Sequence, residues 1–269
     1  MDALVLMEGL ESRAMMSALP TPNHIVVVIE ENQAYAQVVG VHSAPYINAL
    51  ARGGATFTTA SAETHPSLAN YLAIFSGSRQ GVSGDAKPTR LFSTPNIASE
   101  LIAVHHTFAG YSEDLPRVGY TGDAYKGYVR RHNPWVDFNN VPAGDNLPFA
   151  KFPADFSKLP TVSFVVPNLN HDMHDGTVGN GDRWLKAKLG AYAYWARTHN
   201  SLLIVTWDED DGSTDSNHIA TIVYGAHVKP GKDTQAINHY SILRTIEDMY
   251  KLPRVGQSAA AAPITNAWR

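Results

Sequence analysis

Two apolar runs in this chain end in clusters of acid. Ile25-Val26-Val27-Val28-Ile29 leads into Glu30-Glu31-Asn32, and Leu202-Leu203-Ile204-Val205-Thr206-Trp207 leads into Asp208-Glu209-Asp210-Asp211. Aliphatic runs without polar alternation are strands buried on both faces, and such strands belong to parallel sheets covered by helices. The carboxyl ends of those strands are where open α/β sheets place their ligands. Two such ends side by side would pool their carboxylates, which repel one another and raise a pKa. A bound cation is therefore the economical explanation. The spacing lacks the alternating oxygen ligands and terminal Glu of an EF-hand.

The rest of the chain alternates in the same way. Thr161 to Val166 is a third buried-strand pattern. It runs into a turn in which His171, Asp172, His174 and Asp175 occupy four of five positions, a density that suits metal binding or proton transfer better than a surface turn. Shorter strand patterns cover Ala55 to Thr59, Thr107 to Tyr111 and Ile219 to Tyr224. Helical spacing covers Tyr46 to Ala51, Ile97 to Val104 and Asp182 to His199. Asn238-His239-Tyr240-Ser241 caps a further helix, and Pro230-Gly231 reads as a turn. With right-handed crossovers this order predicts an α/β protein, a three-layer α/β/α sandwich with a mostly parallel central sheet. Glu31, Thr64, the His171 to Asp175 segment and Asp208 then share one edge.

Thr64-His65-Pro66-Ser67 precedes Leu68, Tyr71, Leu72 and Phe75, which recur at helical spacing, so a loop turns into a helix here. Thr64 is expected at or near the cap, where free backbone N–H groups favour an anion and a hydroxyl is placed to attack it. Ser67 is the rival. The irregular stretch from Glu113 to Lys158 gathers Lys126, Arg131 and His132 among aromatic residues, either as a clamp on an anionic head group or as a solvated surface.

Composition narrows the classes. A net charge of -4 offers no broad basic surface for nucleic acid. Without cysteine, any metal has oxygen and nitrogen ligands. No apolar run is long enough to span a membrane. Residues 23–269 are expected to form one catalytic domain, and 1–22 a leader, export-related or disordered. That leader has no basic n-region, yet Leu10, Glu11, Arg13 and Ser17 resemble a Leu-Glu-x-Arg-x-x-x-Ser segment near the start of some exported bacterial proteins.

An ordered set of motifs then resembles a known family. Glu30-Glu31-Asn32, Thr64-His65-Pro66-Ser67 with Asn70-Tyr71 and Gly77, Tyr111-Ser112-Glu113-Asp114, Arg131-His132-Asn133-Pro134, His171 through Asp175, Asp208-Glu209 and Asn238-His239-Tyr240-Ser241 run in the order of the bacterial phosphoesterase family. That family holds secreted acid phosphatases and phospholipases C within the alkaline phosphatase-like superfamily. The resemblance implies one divalent cation held by Glu31, Asn32, Asp208 and Glu209. Ca²⁺ and Mg²⁺ suit oxygen ligands best, with Zn²⁺ as the third candidate. It implies Thr64 as a nucleophile that is transiently phosphorylated, with His171, His174 and His239 contacting phosphoryl oxygens and moving protons. Lys126, Arg131, His132 and Asp175 are expected to bind the substrate, a small phosphorylated molecule or a phospholipid head group.

The activity so implied is a metal-dependent phosphoric monoester hydrolase, secreted or periplasmic, most active at acidic to neutral pH. Phospholipase C-type phosphodiesterase is the alternative within enzymes. A non-catalytic anion- or metal-binding protein on the same fold is the alternative outside them.

Overall fold

The computed structural model describes residues 19–269. Most of the leader lies outside the described residues. The chain builds a nine-stranded sheet, and a hairpin stands apart from it. In chain order the strands are β1 (His24–Glu30), β2 (Ala55–Ser61), β3 (Phe108–Ser112), β4 (Ala124–Tyr125), β5 (Tyr128–Val129), β6 (Asn146–Pro148), β7 (Val162–Val166), β8 (Ser201–Trp207), β9 (His218–Gly225), β10 (Gly231–Asp233) and β11 (Ile237–Asn238). The helices are α1 (Tyr35–Val38), α2 (Pro45–Gly53), α3 (Ser67–Ser76), α4 (Ile97–Ala103), α5 (Val178–Ala196) and α6 (His239–Tyr250).

The sheet order is β10-β2-β9-β8-β1-β7-β3-β6, with β11 also on β2, and β4-β5 is the separate hairpin. Every pairing in the large sheet is parallel except those of β9, which runs antiparallel to β2 and β8. The mostly parallel sheet is as expected, and its cause is visible in β1, β7 and β8. Residues 25–30 of β1 and all residues of β7 and β8 are buried, so both faces are covered. Helix α2 packs with α5, while α3 packs with α6 and α4. β1 lies between β7 and β8 in register, with Glu30 opposite Trp207, which brings Glu31 and Asp208 to one edge. β2 runs in the same direction, so the loop carrying Thr64 leaves from that edge too.

Two differences from the sequence reading bear on the site and the sheet edge. Helix α5 begins at Val178, where the Thr177 hydroxyl accepts the Asn180 N–H at 3.2 Å, and ends at Ala196. Gly179 and Gly181 hide that first turn from an apolar pattern. Gly181 is needed for packing, because a Cβ there would meet the Met173 side chain at 2.5 Å and the His171 carbonyl at 2.8 Å. The acid- and histidine-rich turn is thereby held against α5. At the sheet edge, Gly231 opens strand β10 rather than closing a turn, since its N–H reaches the Gly54 carbonyl at 2.9 Å.

Candidate active site

Helix α3 brings the site together. All ten of its residues are buried, and it ends at Gly77, whose φ of 66° is left-handed. A Cβ at Gly77 would meet the Val255 carbonyl at 2.0 Å, so only glycine fits that end. At the other end the cap is Pro66, in extended backbone, and not Thr64. A residue before proline is biased away from helical geometry, which holds His65 out of the helix and delays its start to Ser67. Thr64 therefore lies ahead of the cap. Its hydroxyl donates to the His65 carbonyl at 3.1 Å.

Ser67, the first residue of α3, faces the acids. Its Oγ donates to Glu31 Oε2 at 3.1 Å and lies 3.4 Å from Glu209 Oε1. Asn70, one turn on, accepts the N–H groups of Glu63 and Thr64 at 3.1 Å each. It donates to the Thr64 carbonyl at 2.8 Å and to Glu209 Oε2 at 3.1 Å. One amide thus locks the Thr64 loop to the helix and orients a carboxylate. His65 meets the same carboxylate, with Nδ1 3.1 Å from Glu209 Oε2 and Nε2 3.3 Å from Asp210 Oδ1.

Strand alternation separates the two glutamates of the first acidic cluster. Glu31 turns toward Ser67. Glu30 is wholly buried, and neither of its carboxyl oxygens has a hydrogen-bond partner among the described residues. Asn32, at φ 50°, donates its N–H to Asp208 Oδ1 at 3.3 Å. Three of the four expected ligands, Glu31, Asp208 and Glu209, therefore meet around Ser67, and Asn32 joins them through its backbone N–H.

The other oxygen of Glu31 faces a second group. His132 is 1 % exposed, with Nε2 3.2 Å from Glu31 Oε1 and Nδ1 3.4 Å from Asp172 Oδ2. It stacks on Tyr71 with ring centroids 5.1 Å apart. Glu31, His132 and Asp172 each offer a donor atom within 4.8 Å of the others. These pairs are close but not aligned as hydrogen bonds, since Glu31 Oε1, His132 Nε2 and Asp172 Oδ2 remain unpartnered among the described residues, as does Asp208 Oδ2. Buried, unpartnered donors converging in this way form a cluster that could hold a divalent metal ion.

The electrostatics agree. Burial, reinforced by Asp208 and Asp172, raises the Glu31 carboxyl well above its usual range. Burial pushes Asp208 and Asp172 up to about 7, and burial with the Asp208 charge pushes Glu209 up to about 9. Without a positive partner the cluster resists ionisation.

The remaining expected residues divide. His174 joins the group: its Nε2 is 3.3 Å from Arg131 Nη2, its Nδ1 is 2.7 Å from Asp175 Oδ1, and its ring centroid is 6.0 Å from that of His132. Arg131 also lies 3.7 Å from Asp85. Asp175 is exposed and serves His174. His171, by contrast, turns to Glu113 Oε2 at 2.8 Å and stacks against Trp184. Lys126 caps the β4-β5 hairpin and lines a different cavity of about 430 Å³ with Glu113 and Asp114. His239 is buried, with Nε2 3.0 Å from the Trp207 carbonyl, and burial lowers its pKa to about 4. The expectation that all three histidines face one phosphate thus meets a structure that brings only His174 to Arg131. The turn's His171 and His174 carry no sequence mark that tells them apart.

Asp172, Asn70 and Asp85 take part in this geometry; the sequence marks Asp172 only as a member of the acid- and histidine-rich turn, without a role of its own, and gives Asn70 and Asp85 none. Asp172 and Asn70 belonged to motifs already quoted. Asp85 lay in a loop rich in Gly, Ser and Pro, and only its fold gives it partners.

Comparison with known proteins bears on this site directly. Residues 41–253 match the Phosphoesterase family. The chain belongs to that family. It is 51 % identical over 254 residues to a phosphatidylinositol-3-phosphatase of Mycobacterium tuberculosis, covering 94 % of this chain and 85 % of that protein. It is 30 % identical to a phosphate-repressible acid phosphatase of Penicillium chrysogenum, covering 78 % of this chain but 55 % of the fungal protein, so it spans little more than half of that relative. Among solved structures it resembles a protein in the alkaline phosphatase superfamily from Vibrio parahaemolyticus at a TM-score of 0.63 and 14 % identity, over 98 % of this chain and 80 % of that one. This phosphoesterase therefore has the alkaline phosphatase-like fold and is a hydrolase of phosphoric esters. Among the described residues no helix is long and apolar enough to cross a membrane.

Proposed function

We propose that this phosphoesterase is a metal-dependent phosphatase acting on phosphate monoesters, with Ser67 rather than Thr64 as the residue that is transiently phosphorylated. One observation carries the choice of nucleophile. The Ser67 hydroxyl lies against Glu31 and Glu209 at the amino end of α3, whereas the Thr64 hydroxyl is engaged with its own chain. Thr64 keeps a supporting role, as the loop that Asn70 and Asn217 pin beside the helix. Monoesters are favoured over diesters because the relatives are named phosphatases.

The residues that would hold a divalent cation are Glu31, Asn32, Asp208 and Glu209, with His132 and Asp172 on the other oxygen of Glu31. Oxygen-rich donors fit Ca²⁺ or Mg²⁺, and the imidazole keeps Zn²⁺ in view. When bound, such an ion neutralises phosphoryl charge and lowers the pKa of a nearby hydroxyl.

The chain's own residues do the rest. Ser67 Oγ passes its proton to Glu31 Oε2, the acceptor it already faces, and attacks phosphorus as the ester oxygen leaves. Arg131 turns from His174 Nε2 to the phosphoryl oxygens, and His174, then protonated at the freed Nε2, gives the leaving alcohol its proton. Water then attacks phosphorus, the bond to Ser67 Oγ breaks, inorganic phosphate leaves, and Glu31 returns the proton to Ser67. Residues 23–269 act as one catalytic domain in this reading, supported by the Tyr250 hydroxyl, which donates to the Pro22 carbonyl at 3.0 Å and so ties the last helix to the chain's entry into β1. A secreted or periplasmic location remains part of the proposal.

The test is hydrolysis of an aryl phosphate after chelation and after adding back Ca²⁺, Mg²⁺ or Zn²⁺. Wild type is expected to lose activity on chelation and recover it with a cation. Ser67→Ala should fall at least a thousandfold in kcat and Thr64→Ala by less than a hundredfold, since loss of a nucleophile removes the covalent route. Equal inactivation of both variants, or activity indifferent to chelation, would contradict this reading. An aryl phosphodiester hydrolysed faster than the monoester would contradict the substrate class.

A further inference from the structure

A cavity of about 260 Å³ opens at the amino end of α3, lined by Leu68, Asp85, Lys87, Asp123, Arg130 and Arg131 among others. Two of its donors are those a phosphoryl group would use. Leu68 directly follows Ser67, so its N–H is a backbone donor beside the proposed nucleophile, and Arg131 brings a guanidinium. Both already face an anion. Asp85 Oδ1 accepts the Leu68 N–H at 3.1 Å, and Oδ2 lies 3.7 Å from Arg131 Nε.

Asp85 reaches this position from a loop whose glycines face open space. A Cβ at Gly81 or Gly84 would meet nothing within 4 Å, and the Asp85 side chain is 37 % exposed. A carboxylate copies the charge and acceptor geometry of a phosphoryl oxygen pair, and it repels a phosphate brought to the same donors.

We propose that Asp85 is a tethered anion that occupies the phosphoryl pocket of the free enzyme, must be displaced by the phosphate of a substrate, and thereby sets affinity for phosphate monoesters and inorganic phosphate. This rests on the reading of Ser67 as nucleophile. The competing account is structural: Pro66 offers no side-chain cap, and Asp85 caps α3 in its place. Asp85→Asn separates the two, because an amide oxygen still accepts the Leu68 N–H while the charge is gone.

The experiment is calorimetric titration of inorganic phosphate into cation-loaded wild type and Asp85→Asn, with product inhibition of aryl phosphate hydrolysis alongside. The proposal predicts that the Kd and Ki for phosphate each fall tenfold or more. A smaller fall, no change, or weaker binding overturns it and leaves Asp85 as a cap. Asp85→Ala is judged by the same criterion should the Asn variant fail to fold. Failure of the Ser67 assignment would appear elsewhere, as retained turnover in Ser67→Ala, so the two outcomes are told apart.

Discussion

At the scale of single residues, the buried carboxyls dominate the energetics. Asp172 and Asp208 are held at about 7 and Glu209 at about 9, in each case first by burial. A folded pKa above the unfolded one means that folding binds a proton, so the stability these groups contribute is complete below the unfolded value, about 4, and is lost as pH rises through the folded values. The buried imidazoles act in the opposite sense, since burial lowers His132 and His239 and their contribution is lost as pH falls below about 6.5. Between pH 7 and 9 only the carboxyls count. The chelated protein should therefore lose about 1.4 kcal/mol per pH unit for each carboxyl still holding its proton there. Thermal melts should show Tm falling across that window without metal and nearly level with saturating Ca²⁺ or Mg²⁺. A chelated protein whose Tm rises from pH 7 to 9 would contradict the account.

At the scale of elements, α6 holds the C-terminal tail. Glu247 Oε1 accepts the Val255 N–H at 2.9 Å and Oε2 accepts the Ser258 hydroxyl at 2.6 Å, while Thr245 Oγ1 accepts the Ile264 N–H at 2.8 Å. The first of these fixes the Val255 carbonyl on which Gly77, the end of α3, closely packs. The tail thus supports the helix that carries Ser67. Glu247→Ala leaves the buried Val255 N–H unpaired, while the Ser258 hydroxyl keeps the Val255 carbonyl at 2.7 Å, and is expected to cost roughly 1–3 kcal/mol in urea denaturation, with Glu247→Gln costing less because it keeps an acceptor. A loss under about 0.5 kcal/mol for the alanine variant would show that the tail is held by other contacts.

Elements of this kind were unevenly legible from sequence. β1, β7 and β8 declared themselves because unbroken apolar runs have few other uses, and α6 because Asn238 caps it, accepting the Ser241 N–H at 3.0 Å. The reversed direction of β9 was hidden, since pairing direction leaves no mark in a strand's own residues. The first turn of α5 was hidden by glycines whose value lies in close packing with Met173.

For the molecule as a whole, the sheet edge was foreseen and the arrangement on it only partly. Acids at two strand ends pointed to the candidate site because a parallel sheet must bring such ends together. The residue proposed as nucleophile was harder to read, because Thr64 and Ser67 are equivalent as hydroxyls near a helix start, and only the extended Pro66 decides which one enters the helix and faces Glu31. Histidines were harder still. His174, His171 and His239 differ in what the fold places opposite them, namely Arg131, Glu113 and the Trp207 carbonyl. The most direct measurement on the central claim is acid quench of the enzyme during turnover of a phosphate monoester, followed by mass mapping of the phosphorylated residue. The account predicts phosphoserine at Ser67. Phosphothreonine at Thr64 would contradict it.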